Sequence, residues 1–114
     1  MSSNHGAFVW HELLSTDINS AKSFYSKVVE WGLQDSQMPG IDYWMFKVGQ
    51  LPVAGLMTLP DEAKKMGASP HWEGYVGVDD VDATVAKAKQ LGGRVFKEPT
   101  DIPNVGRFAI LADP

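Results

Sequence analysis

Two short stretches carry the side chains best suited to chemistry. Residues 7–14, Ala-Phe-Val-Trp-His-Glu-Leu-Leu, are rich in β-formers and lack a helix cap before them, so they are predicted to form a strand. Strand alternation puts Trp10 and Glu12 on one face and His11 on the other. In the second predicted strand, residues 72–78, the same period puts Glu73 and Tyr75 side by side. If these faces line a cavity, each acid sits beside an aromatic wall in a partly dry place, where burial raises a carboxyl pKa. Two facing carboxylates, Glu12 and Glu73, are then suited to acid–base work. Plainer uses stand beside that one: Glu12 paired with a lysine or holding a backbone amide, Trp10 as simple core, Glu73 structural or exposed. Neither a nucleophile nor an oxyanion device is recognisable.

The remaining reactive side chains point less clearly to a site. His5 lies in a polar stretch and His71 in a Ser-Pro-His connector, so both are expected at the surface. The three histidines have no metal-binding spacing. His11-Glu12 opens like a zinc-protease motif, but position 15 is Ser15 and the segment is not helical. Tyr43-Trp44-Met45-Phe46 and Leu56-Met57 suit an apolar ligand wall, a sheet core or a dimer interface. Gly74, Gly77, Gly92 and Gly93 match no phosphate-binding pattern, and Gly92-Gly93 reads as a helix C-cap.

The elements that must position these residues fit one ordinary domain of 114 residues, 44% apolar and 21% charged. Zero cysteines exclude disulfides, thiol chemistry and thiolate metal sites, and fit a reducing cytoplasm. No secretory signal or membrane-spanning stretch is expected. The net charge is −4 and the lysines are dispersed, which argues against a nucleic-acid groove.

Asp17 is expected to cap a helix carrying Ile18, Ala21, Phe24, Tyr25, Val28 and Val29 on one face, ended by Trp31-Gly32. Strands are predicted over residues 33–37, 43–48 and 53–58, then a connector over 60–70 with one helical turn. After the strand at 72–78, Asp79-Asp80 precedes a helix with Val81, Val85, Ala88 and Leu91 inward, then strands at 94–97 and 107–112. The second half thus repeats the first. An offset of about 63 residues keeps the buried helix face in phase, whereas about 62 matches Trp10 with Trp72.

Trp10-His-Glu-Leu-Leu-Ser-Thr-Asp17, Ala21-Lys-Ser-Phe-Tyr25, Trp31-Gly32, Ala54-Gly55-Leu56-Met57, Gly92-Gly93 and Gly106-Arg107 running to Asp113-Pro114 cover almost the whole chain. In order and spacing they resemble the vicinal oxygen chelate superfamily, also called the glyoxalase/bleomycin-resistance/dioxygenase family. The resemblance implies an α+β fold of two βαβββ modules forming a curled mixed sheet around a cavity, often in a homodimer. Module one would span 7–59, the connector 60–70 and module two 71–114, whose last strand is expected to be missing because the family places it beyond Pro114. Metal-dependent members bind a divalent ion through inward His and Glu side chains. Carried over from the helix caps, the first-strand ligand positions fall on Trp10 and Glu73, of which only Glu73 is a ligand type. The fourth-strand position falls on Gly55, Leu56 or Met57, and the last would lie past the chain shown.

Three readings follow. The first is a cytoplasmic protein, expected to be a homodimer, that binds a small organic molecule through Trp10, Glu12, Met57, Glu73 and Tyr75, with metal-free acid–base chemistry at Glu12 or Glu73. The second is a divalent-metal-dependent lyase or isomerase with Glu73 as a ligand. The third is a dimeric interaction module without catalysis. No nucleic-acid or membrane partner is expected in any of them.

Overall fold

A computed structural model describes residues 4–114 as a mixed α+β chain falling into two units, Phe8–Val76 and the described residues 4–7 with Gly77–Pro114. The first unit contains β1 (Phe8–Ser15), α1 (Ile18–Val28), β2 (Gly32–Asp35), β3 (Tyr43–Val48), β4 (Leu51–Thr58), α2 (Asp61–Lys65) and β5 (His71–Val76). Its strands form one curled sheet in the order β2-β3-β4-β1-β5. β1 runs parallel to β4, and the other neighbours are antiparallel.

Alternation sorts this sheet into two unlike faces. Leu13, Phe46, Ala54 and Leu56 point to one side, where Ile18, Ala21 and Tyr25 of α1 pack on them together with Trp31 and Trp44. Phe46 and Leu56 are fully buried there. Trp10, Glu12 and Leu14 of β1 fall on the opposite side, with their cross-strand neighbours from β3, β4 and β5.

α1 begins where its cap predicts: Asp17 accepts hydrogen bonds from the Ser20 backbone N–H at 3.0 Å and the Ser20 hydroxyl at 2.8 Å. Its end comes earlier than Trp31-Gly32. The helix stops at Val28, and Glu30 takes a left-handed φ of 60°, which frees Trp31 to turn back and stack on Tyr25 at 5.6 Å. The expected inward stripe is also narrower, since Phe24, Val28 and Val29 are exposed and only Ile18, Ala21 and Tyr25 meet the core.

The second unit holds α3 (Val81–Gln90), β6 (Arg94–Ile102) and β7 (Gly106–Ala112), with β6 and β7 paired as a two-stranded sheet. Asp80 caps α3 through the Ala83 N–H at 3.0 Å, the bond Asp17 makes to Ser20 N. Equivalent caps at Asp17 and Asp80 select the offset of 63 over 62. Val85 is buried, but Leu91, predicted inward, is exposed because it is the helix C-cap and the chain turns away at Gly92, φ 91°. β6 runs past its predicted end at Lys97, with register shifts on either side of Lys97 up to Thr100 that accommodate Pro99. Arg107 ties the hairpin to α3: its guanidinium donates to both Asp82 oxygens at 2.8 and 2.9 Å and to Asp101 at 2.9 Å. This pairing holds the Asp82 carboxyl below its usual range.

Among the described residues, no helix is long and apolar enough to cross a membrane.

Candidate functional site

Glu12 is the one charged side chain buried among the described residues, at 7% exposure. It sits in the middle of β1, flanked by β4 and β5, so neighbouring strands screen it from both sides. Antiparallel pairing of β1 with β5 sets Glu12 opposite Glu73 and Trp10 opposite Tyr75. All five sequence-predicted site residues therefore fall on one sheet face, with Trp10, Glu12, Glu73 and Tyr75 side by side and Met57 beside Leu14.

The contacts among them are specific. Tyr75 donates its hydroxyl to Glu12 Oε2 at 3.2 Å and lies 3.5 Å from Glu73 Oε2. Trp10 Nε1–H donates to the Tyr43 hydroxyl at 2.9 Å, and that hydroxyl in turn hydrogen-bonds Glu12. No buried side-chain nitrogen or oxygen is left without a partner among the described residues.

Gly55 explains how Tyr43 reaches the acid. It is the cross-strand partner of Glu12 on β4, and a Cβ built there would overlap the Tyr43 hydroxyl and stand 3.1 Å from Trp10 Nε1. The missing side chain is the space the phenol occupies.

Burial pushes the Glu12 carboxyl above its ordinary value. The hydroxyls of Tyr43 and Tyr75 pull it back in part, and the charge of Glu73 raises it further. The same burial and the Glu12 charge push both tyrosine hydroxyls far upward, so they stay protonated and act as donors. The arrangement is a desolvated carboxyl group held between two phenols and raised above the ordinary glutamate range, the setting of a general acid or base.

His71 belongs to this face, contrary to its expected place in an exposed connector. β5 begins at His71 itself, so the residue is already in the alternation that carries Glu73 and Tyr75. Its ring Nδ1 lies 2.6 Å from the Ser69 carbonyl and its Nε2 lies 3.2 Å from Glu73 Oε1. The bond to Ser69, followed by the influence of Glu73, raises its pKa. Its position two residues before Glu73 was the available signal. In the sequence Tyr43 suits a ligand wall, a sheet core or a dimer interface alike, and nothing local announces that its hydroxyl meets a residue 31 positions earlier.

Met57 pairs across strands with Leu14 and Tyr43 but lines a separate hollow of about 330 Å³, with Ile41, Leu59 and Pro60 among its walls. His11 points away from Glu12 as predicted, stacks on Phe8 at 5.7 Å, and lines an apolar hollow of about 370 Å³ with Trp31, Val53, Ala54 and Trp72. Glu12 and Glu73 line neither hollow. His5 is exposed and accepts the Asp79 N–H at 3.0 Å.

The side chains present do not suit a divalent ion of the type the resemblance implies. Trp10, at one first-strand position, offers only an N–H donor, already given to Tyr43. At the fourth-strand position Gly55 has no side chain and the Tyr43 phenol fills its place, while Met57 offers a thioether. Among the described residues, no three His, Asp or Glu side chains are grouped to hold a metal.

Comparison with known proteins extends this picture. The family model described as "Glyoxalase/Bleomycin resistance protein/Dioxygenase superfamily" matches residues 7–114. A Mycobacterium bovis protein named "Putative glyoxylase CFP32" is 46% identical over 112 residues, which cover 96% of this chain and 41% of the relative. The "Anthracycline biosynthesis protein DnrV" of Streptomyces peucetius is 37% identical over 109 residues, 96% of this chain and 38% of the relative. A "Glyoxylase-like domain-containing protein" of Didymella fabae is 28% identical, covering 96% of this chain and 87% of the relative. The chain thus spans about two fifths of the length of the mycobacterial and streptomycete relatives. With a family model matched over nearly all of its length and a βαβββ arrangement in its first unit, the chain belongs to the glyoxalase/bleomycin-resistance/dioxygenase superfamily.

Proposed function

We propose that the Glu12 face binds a small carbonyl-bearing organic molecule and moves a proton on it without a metal, Glu12 serving as general acid and base. The reaction class is that of a lyase or isomerase acting at the carbon next to a carbonyl. The observation that carries this reading is Glu12 itself, 7% exposed, raised in pKa and hydrogen-bonded by two tyrosine hydroxyls. A buried carboxyl group is costly unless its partners are fixed, and this one has them in Tyr43 and Tyr75. Trp10 supplies a flat apolar surface beside the acid. The relatives' names, glyoxylase and anthracycline biosynthesis, support carbonyl-bearing compounds as the class to try first.

Glu12 as carboxylate removes a proton from the carbon beside the carbonyl. The tyrosine hydroxyls stabilise the carboxylate before transfer, and the neutral acid then returns the proton to oxygen or to the neighbouring carbon. No step needs an electron acceptor.

Binding is tested by tryptophan fluorescence with a panel of 1,2-dicarbonyl compounds and aromatic ketones, after dialysis against a chelator. Saturable quenching in the parent protein, lost in Trp10→Phe, is the expected result. Quenching that survives Trp10→Phe unchanged places the ligand elsewhere, and the absence of quenching across the panel contradicts the substrate class.

A further inference from the structure

We propose that His71 is the solvent-side end of a proton relay that serves Glu12 through Tyr75 and Glu73. The inference deepens the reading of Glu12 as the proton-transfer group and rests on it.

The geometry fixes the proton positions. The Ser69 carbonyl can only accept, so the 2.6 Å contact to His71 Nδ1 places an N–H there. His71 Nε2 then faces Glu73 Oε1 at 3.2 Å, and two lone pairs cannot sit at that separation without a proton between them. Either the imidazole is protonated or Glu73 is, so the pair holds a shared proton. On the other side of Glu73, Oε2 faces the Tyr75 hydroxyl at 3.5 Å, and that hydroxyl reaches Glu12 Oε2 at 3.2 Å. The contact between Tyr75 and Glu73 is the longest of the three, so it must shorten before transfer.

Exposure rises along this path. Glu12 is 7% exposed, while the side chains of Glu73 and His71 are 21% and 39% exposed. The order of burial is the order a relay to water requires. The titratable groups beside Glu12 on this face are Tyr43 of β3 and His71, Glu73 and Tyr75 of β5, with Lys47 farther along β3; β4 contributes Gly55 and Met57. Trp10 engages Tyr43 on the far side of Glu12, which leaves Tyr75 as the link toward Glu73.

The step balances. The proton shared by His71 Nε2 and Glu73 Oε1 is taken up by Glu73, whose carboxyl group turns over to present it to the Tyr75 hydroxyl oxygen. Tyr75 gives its own hydroxyl proton to a Glu12 carboxylate at Oε2 as it takes the one from Glu73. Tyr75 is neutral before and after, Glu73 ends as a carboxylate, one proton has moved from the His71–Glu73 pair to Glu12, and no electron is transferred. Solvent then reprotonates His71.

His71 is a positioning residue in this scheme, and its test needs no substrate. The carboxyl carbons of ¹³C-glutamate-labelled protein are followed by NMR from about pH 4 to pH 9, together with the His71 ring protons. The expected result is a Glu12 signal with two inflections, the upper one coinciding with the His71 titration. His71→Gln and Tyr75→Phe should each abolish the upper inflection, with the amide fingerprint of each variant confirming the fold. A single Glu12 inflection, or an upper one that persists in both variants, overturns the relay. Should His71→Gln fail to fold, Tyr75→Phe alone decides the outcome. Because the readout is protonation, loss of the coupling leaves the acid–base role of Glu12 standing, and a failure to find turnover leaves the relay standing.

Discussion

The two faces of the five-stranded sheet are built from the same strands yet follow opposite rules. One is closed by α1 over Leu13, Phe46, Ala54 and Leu56, and its order comes from apolar packing. The other gathers Trp10, Glu12, Tyr43, Glu73 and Tyr75, and its order comes from hydrogen bonds. Residues one step apart, Glu12 and Leu13, belong to different physics because a strand turns every second side chain over. The apolar face holds the sheet rigid so that the polar face can keep an acid in place at low exposure.

Substitutions on the two faces should therefore separate stability from ligand binding. Phe46→Ala empties a fully buried site in the aromatic cluster of Tyr25, Trp31 and Trp72, and should cost about 3–5 kcal/mol of unfolding free energy in a denaturant titration. Any surviving folded fraction should still bind through Trp10. On the opposite face, Gly55→Ala pushes the Tyr43 hydroxyl from its place, with an overpacking cost of roughly 1–3 kcal/mol. It should also weaken ligand quenching, which Phe46→Ala should spare. Equal losses of binding in both variants would erase the distinction between the faces.

Glu12→Gln sharpens the comparison through pH. The folded pKa of Glu12 lies above its ordinary value, so the native state favours the neutral acid. Its contribution to stability is fully present below the ordinary glutamate pKa and is lost as pH rises through the raised value. Glu12→Gln removes that dependence. The stability of the variant relative to the parent protein should rise from acid to neutral pH, as read from denaturation midpoints across the range. His71 has the same sign, with stability present below its ordinary value and lost as pH rises through the raised one. The smallest effect belongs to neither face: Asp17→Ala removes the cap of α1 and should lower the melting temperature by about a few degrees.

Local signals in the sequence carried much of this architecture. Asp17 and Asp80 announce their helices because capping involves neighbours only three residues away. Alternation alone places Trp10 with Glu12 and Glu73 with Tyr75, and the repeat brings the two pairs to matching strands. What alternation cannot supply is the register between strands distant in sequence. Tyr43 meets Trp10 across 33 residues because β3 and β4 are offset so that a phenol lies over Gly55. Ser69-Pro70 masks the start of β5, so His71 reads as connector although it already faces Glu73. The exposed Phe24, Val28 and Leu91 fail for a related reason, since helical spacing marks a stripe but not how much of it finds a partner.

Proton transfer by Glu12 without a metal is the central expectation for this face. Hydrogen–deuterium exchange at the carbon beside the carbonyl of a bound ligand, followed by NMR in chelator-treated protein, measures that directly. Exchange should persist after metal removal and fall by roughly 10²–10⁴-fold in Glu12→Gln. Exchange that vanishes with the chelator and returns on adding a divalent ion, or that proceeds unchanged in Glu12→Gln, would contradict it.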